Sequence, residues 1–183
     1  MTTTHRYQYG QKSFLGGDMV ASIQAFSEAL EEGDHPLHSH LNRGIAYLKI
    51  GRFSQAIEDF DAVLKEDGRH EVALFYRGIA KLNLEKNEDA VHDLDRCLRL
   101  NPERGAAYLA RGLAHGGLGH KSEMRKDIHD LHALNNVELG EFLEEYVLSD
   151  PLFNQTLALF ARDDGKWRLS LTEDEVQRLA VLH

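Results

Sequence analysis

The sequence predicts an all-α fold, a solenoid of stacked helix pairs, and three observations carry that prediction. First, the segment Asn42–Tyr47 (N-R-G-I-A-Y) returns as Y-R-G-I-A-K at Tyr76–Lys81 and as A-R-G-L-A-H at Ala110–His115, each time after 34 residues. Second, glycine holds the same register at Gly10, Gly44, Gly78 and Gly112. Third, the other half of each unit keeps step: Ser22, Ala56, Ala90 and Met124 occupy one slot, then Phe26, Phe60, Leu94 and Ile128, then Ala29, Val63, Cys97 and Leu131. A fixed period with alternating small and large apolar positions is what helices packed in pairs require, because each unit buries its apolar face only against its neighbours.

The interval and the small residue in each first helix resemble the tetratricopeptide repeat family over about Thr3–Asn136. Asp34, Gly68, Pro102 and Asn136 mark the turns into the next unit, and Pro102 is the family's usual proline. Repeats two and three match best. Repeat one lacks the large residue near its start, and repeat four carries Met124 where a small residue is expected. The resemblance implies one right-handed superhelix over residues 1–136, followed by a capping helix and further helices over 137–183. It also implies binding work, without naming what is bound.

The elements follow in order from local signals. Helix 1A is expected over His5–Leu15, stopped by Gly16 and Gly17, and 1B from the N-cap Asp18 to Glu32. Helices 2A and 2B span Leu37–Ile50 and Phe53–Glu66, broken at Gly51. Helices 3A and 3B span Glu71–Leu84 and Asn87–Leu100, ended by Asn101-Pro102. Helices 4A and 4B span Glu103–Leu118 and Lys121–Leu134, broken at Gly119. Beyond the repeats, Val137–Leu148 reads as the capping helix. Asp150-Pro151 opens an apolar helix over Leu152–Ala161, and Thr172–Glu175 is a capping box for the last one.

Composition bounds the function. The 30 acidic against 21 basic residues give a formal charge of −9, which repels phosphate backbones and argues against nucleic acid as a partner. Cys97 is the one cysteine, so no internal disulfide forms, and its apolar setting makes it a small core residue. No segment has the roughly twenty apolar residues of a membrane span, and the first residues form no apolar signal core, so membrane insertion is not expected and a cytoplasmic protein is the simplest reading.

Chemistry has little purchase. Eleven histidines raise the question of a metal, but the His35, His38 and His40 group and the His129 and His132 group sit in different repeats, and the first straddles a turn, so neither is expected to bring three or four ligands to one point. They read as solvated side chains; no metal and no cofactor is expected. No nucleophile with a base, and no phosphate loop, can be named, so the chain does not read as an enzyme. Arg43, Arg77 and Arg111 each precede the packing glycine, and Asp59, Asp93 and Asp127 follow each arginine by sixteen residues on the partner helix. Those pairs are expected to close the helix–helix seam.

The resemblance places a binding groove on the inner wall, lined by the first helix of each unit. The matching positions are Tyr7, Gln11 and Phe14, then Leu41, Ile45 and Leu48, then Phe75, Ile79 and Leu82, then Leu109 and Leu113, with Asn42 and Tyr76 beside them. Spacings of four and three put each set on one stripe, opposite the stripe used for packing. Burying four such side chains contributes on the order of 6–12 kcal/mol gross. The family's carboxylate-gripping subfamily wants Lys, Asn, Asn, Lys and Arg at Tyr7, Gln11, Asn42, Val72 and Tyr76, and only Asn42 agrees. The expected partner is therefore an apolar or amphipathic segment of another protein, in a scaffold or adaptor. The alternative is self-association into a homo-oligomer through the groove or the C-terminal helices. The apolar Leu152–Ala161 segment is a competitor for the groove within the chain itself.

Overall fold

The computed structural model describes residues 5–134. They form eight helices: α1 His5–Leu15, α2 Met19–Glu31, α3 Pro36–Lys49, α4 Phe53–Glu66, α5 Glu71–Asn83, α6 Asn87–Leu100, α7 Gly105–Gly117 and α8 Lys121–Ala133. No strand occurs among the described residues. The expected helices over 137–148, 152–161 and from 172 onward lie outside them.

Contacts divide the chain into two compact units, Met1–Pro102 and Glu103–His183. The division falls at the repeat boundary that carries proline. In the first unit α1 pairs with α2, α3 with α4 and α5 with α6, while α2 meets α3 and α4 meets α5. The first helices also touch one another directly, α3 against both α1 and α5. In the second unit α7 pairs with α8.

The pairing is close because glycine faces a ring or branched side chain. A Cβ on Gly44 would lie 2.7 Å from Cε1 of Phe60, and one on Gly78 would lie 2.8 Å from Cγ of Leu94. Phe26, Phe60 and Leu94 are fully buried there, beside Ala25, Ala56 and Ala90. Repeat four is looser. A Cβ on Gly112 would meet nothing nearer than the Cβ of Asp127 at 3.5 Å, and Met124 fills the small-residue slot.

Element ends follow the chemistry of caps. The Asp18 carboxylate accepts from Ala21 N at 2.9 Å, as its place predicts, and His70 Nδ1 does the same for Ala73 N at 3.3 Å. Pro36 is the first residue of α3, one place earlier than expected, since proline there loses no helical hydrogen bond. Helix α7 starts at Gly105, not Glu103, because Asn101 to Arg104 make the turn. Between first and second helices the chain turns through left-handed residues: Gly17, Gly51 and Gly119, and in repeat three Glu85 with φ 58°.

Candidate functional site

The inner stripe of the first unit is built on α1, α3 and α5. Tyr7 is half-buried, and its hydroxyl accepts hydrogen bonds from Gln11 Nε2 and Asn42 Nδ2, each at 3.2 Å. Asn42 thus ties α3 to α1, leaving the phenolic proton of Tyr7 to serve as a donor. The Tyr7 ring stacks on His35, with centroids 4.7 Å apart. His35 Nδ1 lies 2.6 Å from Asp34 Oδ1. These five side chains form one polar corner on the α1–α3 side.

The apolar members divide by exposure. Leu41 and Ile45, one turn apart on α3, are half-buried, and Gln11 is exposed. Leu48, Phe75, Ile79 and Leu82 are buried, with Ile79 showing 4% of its surface. Tyr76 is half-buried, stacked on Phe60 at 6.1 Å and edge-on to Phe75 at 5.1 Å. In the second unit Leu109 and Leu113, one turn apart on α7, are buried as well. The structure thus joins Tyr7, Gln11 and Asn42 by hydrogen bonds, and leaves Phe14, Leu41 and Ile45 half-buried, so that solvent still reaches them.

The arginines of the seam are engaged. Arg43 donates through Nε to Asp59 Oδ2 at 2.9 Å and through Nη2 to Oδ1 at 2.7 Å, while its Nη1 donates to Ser27 Oγ at 2.9 Å. Arg77 repeats this on Asp93 at 2.7 and 2.6 Å and reaches Asp61 of the preceding pair at 2.6 Å. Lys81 Nζ adds a further bond to Asp93 at 2.7 Å. Arg111 Nε stands 3.1 Å from both oxygens of Asp127, and its Nη2 also donates to Oδ1. Burial pushes the Asp93 carboxyl up, but Arg77 and Lys81 outweigh it and hold it below the ordinary range. At Asp127 burial prevails over Arg111, and the carboxyl is pushed up. Guanidinium groups committed in this way are not available to grip an acidic ligand.

Of the histidines read as solvated from sequence, His35 is exposed but stacked, and His40 is half-buried and paired. His35 stacks on Tyr7, and His40 Nδ1 lies 2.8 Å from Asp59 Oδ1. The register offered a signal for His40, which stands where repeat three has the buried Leu74. No group of three or more metal-ligating side chains converges among the described residues. No described helix is long and apolar enough to cross a membrane.

A family model described as tetratricopeptide repeat matches residues 41–82 and again 75–116. Residues 41–116 are thus tetratricopeptide repeats. No curated protein matches it in sequence. Solved structures with the same repeat fold match at low identity. The MamA RS-1 ArsTM double mutant superposes with a TM-score of 0.73 at 19% identity, covering 98% of this chain and 93% of that one. The Arabidopsis OM64 tetratricopeptide-repeat domain gives 0.60 at 22%, covering 62% and 94%. The first such domain of Spaghetti (RPAP3), bound to the HSP90 peptide SRMEEVD, gives 0.60 at 23%, covering 64% and 95%. At these identities the likeness is one of fold.

Proposed function

We propose that this tetratricopeptide-repeat protein is a non-catalytic scaffold that holds an apolar or amphipathic segment of another protein on the inner stripe of its first unit. The observation that carries the reading is the pairing of half-exposed Leu41 and Ile45 with the uncharged, hydrogen-bonded trio Tyr7, Gln11 and Asn42 of the polar corner. Apolar anchors beside neutral donors and acceptors suit a peptide whose side chains bury and whose backbone hydrogen-bonds. Phe75, Ile79, Leu82 and Leu48 are the buried members of the same stripe and Tyr76 a half-buried one, and Leu109 and Leu113 are the matching positions of repeat four.

The RPAP3 domain is described with an acidic peptide. A like ligand fits poorly here, because Tyr7, Gln11, Val72 and Tyr76 supply no positive charge at the positions that would meet a terminal carboxylate. The repeat family is one of interaction modules, which supports a non-catalytic reading.

The test is a photo-activated cross-linker placed at Ile45 in the full chain, with the attached peptide sequenced. Recovery of one recurrent apolar or amphipathic segment from another protein supports the reading. It should vanish in a variant carrying Leu41→Asp while the helical signal and melting midpoint hold. Cross-links only to a second copy of this chain, or only to residues 152–161 of the same chain, would replace it with self-association or self-occupancy.

A further inference from the structure

We propose that the segment of another protein held on the inner stripe of the first unit carries an acidic side chain, taken by Lys49, beside apolar residues seated on Leu15, Leu41 and Ile45. This rests on the reading of that stripe as a binding surface and adds the charge its ligand must bring. Tyr7, Gln11 and Leu15 follow one another every four residues on α1, and so do Leu41, Ile45 and Lys49 on α3, which puts each row on one helical stripe. Leu15 and Lys49 end the two rows at the same register, on helices that touch.

Leu15 extends the surface on its apolar side. It is 87% exposed, the most of any large apolar side chain among the described residues. The same position holds Lys49, Asn83 and Gly117 in the later repeats, so the stack does not call for leucine there. A lone exposed leucine would mean little, but this one continues the row that Phe14, Leu41 and Ile45 leave half-open.

Charge complementarity supplies the rest. The chain has a formal charge of −9, yet its inner wall carries no acid: the positions of Tyr7, Gln8, Gln11, Phe14 and Leu15, followed through α3 and α5, contain no aspartate or glutamate. Lys49 is the one lysine or arginine among them. Its residue is exposed, and its Nζ stands 5.7 Å from the centroid of the Phe14 ring, which keeps the ammonium at the wall. Burial pushes that ammonium down from the ordinary lysine value, a cost that a ligand carboxylate offsets. A basic segment would be repelled there, and an uncharged one would leave the cost standing. Lys49 occupies none of the positions Tyr7, Gln11, Val72 and Tyr76 where a terminal carboxylate would be met, so the matching group is a side-chain carboxylate within the segment. Along α3, Lys49 lies about 6 Å beyond Ile45. The acid therefore falls about two residues from an apolar anchor if the ligand is extended and about four if it is helical.

Selection of a phage-displayed library of random peptides on the full chain tests this. The wild type should enrich peptides that join apolar residues to an aspartate or glutamate. Lys49→Glu should exchange that acid for lysine or arginine, and Lys49→Gln should keep the apolar residues and lose the charge preference, both with the melting midpoint held. A selected peptide should bind the Lys49→Glu chain about tenfold more weakly, one exposed ion pair being lost and turned repulsive, and its charge-reversed version should recover the loss. Leu15→Ser should weaken the same peptide without altering its charge preference. Apolar peptides with no acidic enrichment, or an acid preference that survives in Lys49→Gln, overturn the inference and leave the binding surface standing. No enrichment, or enrichment that Leu41→Asp does not disturb, overturns the surface itself. A synthetic peptide of residues 152–164 that binds more tightly than any selected one would make a second copy of this chain the occupant and overturn the capture of another protein.

Discussion

The ring of Phe60 lies against Gly44 so closely that a methyl group has no place between them, the nearest carbon standing 2.7 Å from where a Cβ would be. The ring is fully buried and cannot swing away. Gly44→Ala is therefore expected to cost about 1–3 kcal/mol through overpacking. Gly112→Ala is expected to be neutral or to stabilise by up to about 1 kcal/mol, since the helix gains propensity and the site has room. Urea unfolding of the two variants side by side checks this, and equal losses would show that Gly112 is packed as tightly as Gly44.

Glu85 takes the left-handed turn position that glycine holds at Gly17, Gly51 and Gly119. A side chain with a Cβ is strained there by about 1 kcal/mol. Glu85→Gly should raise the melting midpoint by a few degrees in a thermal scan, whereas glycine in a helix interior lowers it.

Ser27 receives Arg43 Nη1 where, one repeat later, Asp61 receives Arg77 Nη1. Ser27→Asp should recreate the charged contact and stabilise the first unit by roughly 0.5–1 kcal/mol. The Ser27 hydroxyl also donates to Ile23 O, and losing that bond subtracts from the gain. A double-mutant cycle with Arg43→Gln isolates the coupling, and a coupling of zero would reduce Ser27 to a local helix contact.

Asp93 is held low by Arg77 and Lys81 against the effect of burial. A folded carboxyl below its unfolded value adds stability that is complete above about pH 4 and is lost as pH falls below it. Asp93→Asn should therefore destabilise the chain at pH 7 by about 3–5 kcal/mol, leaving two cations facing a neutral amide. The penalty should shrink steadily on acidification below pH 4. Asp127, pushed up by burial, works in the opposite direction. Asp127→Asn should cost less at pH 7 than Asp93→Asn does, which paired denaturation curves would show.

The repeat architecture was legible because its constraints are local and recur. A glycine facing a ring, a small residue one helix later and a turn residue every 34 positions leave little else for the chain to do. The arginine–aspartate seam was legible for the same reason, three pairs at one spacing. Exposure along the inner stripe was not. Ile45 and Ile79 hold the same register position, yet one is half-buried and the other buried, because exposure depends on what surrounds each helix rather than on its own pattern. The stack of His35 on Tyr7 leaves no periodic trace, and His40 was legible only through its register with the buried Leu74. The strained turn at Glu85 was hidden by its side chain, since the glycine that marks such turns elsewhere is missing.

The third nitrogen of each seam arginine in the first unit has a consequence for how that unit comes apart. Arg43 and Arg77 each span two repeats, bonding their own aspartate and a residue of the pair before. Opening one pair therefore strips a charge-assisted contact from the pair that remains. In a linear array whose stability is a sum of unit terms and nearest-neighbour terms, such fasteners load the energy onto the junctions. Fraying from one end by a single repeat is then disfavoured, and α1–α6 should melt in one sharp step instead of peeling pair by pair.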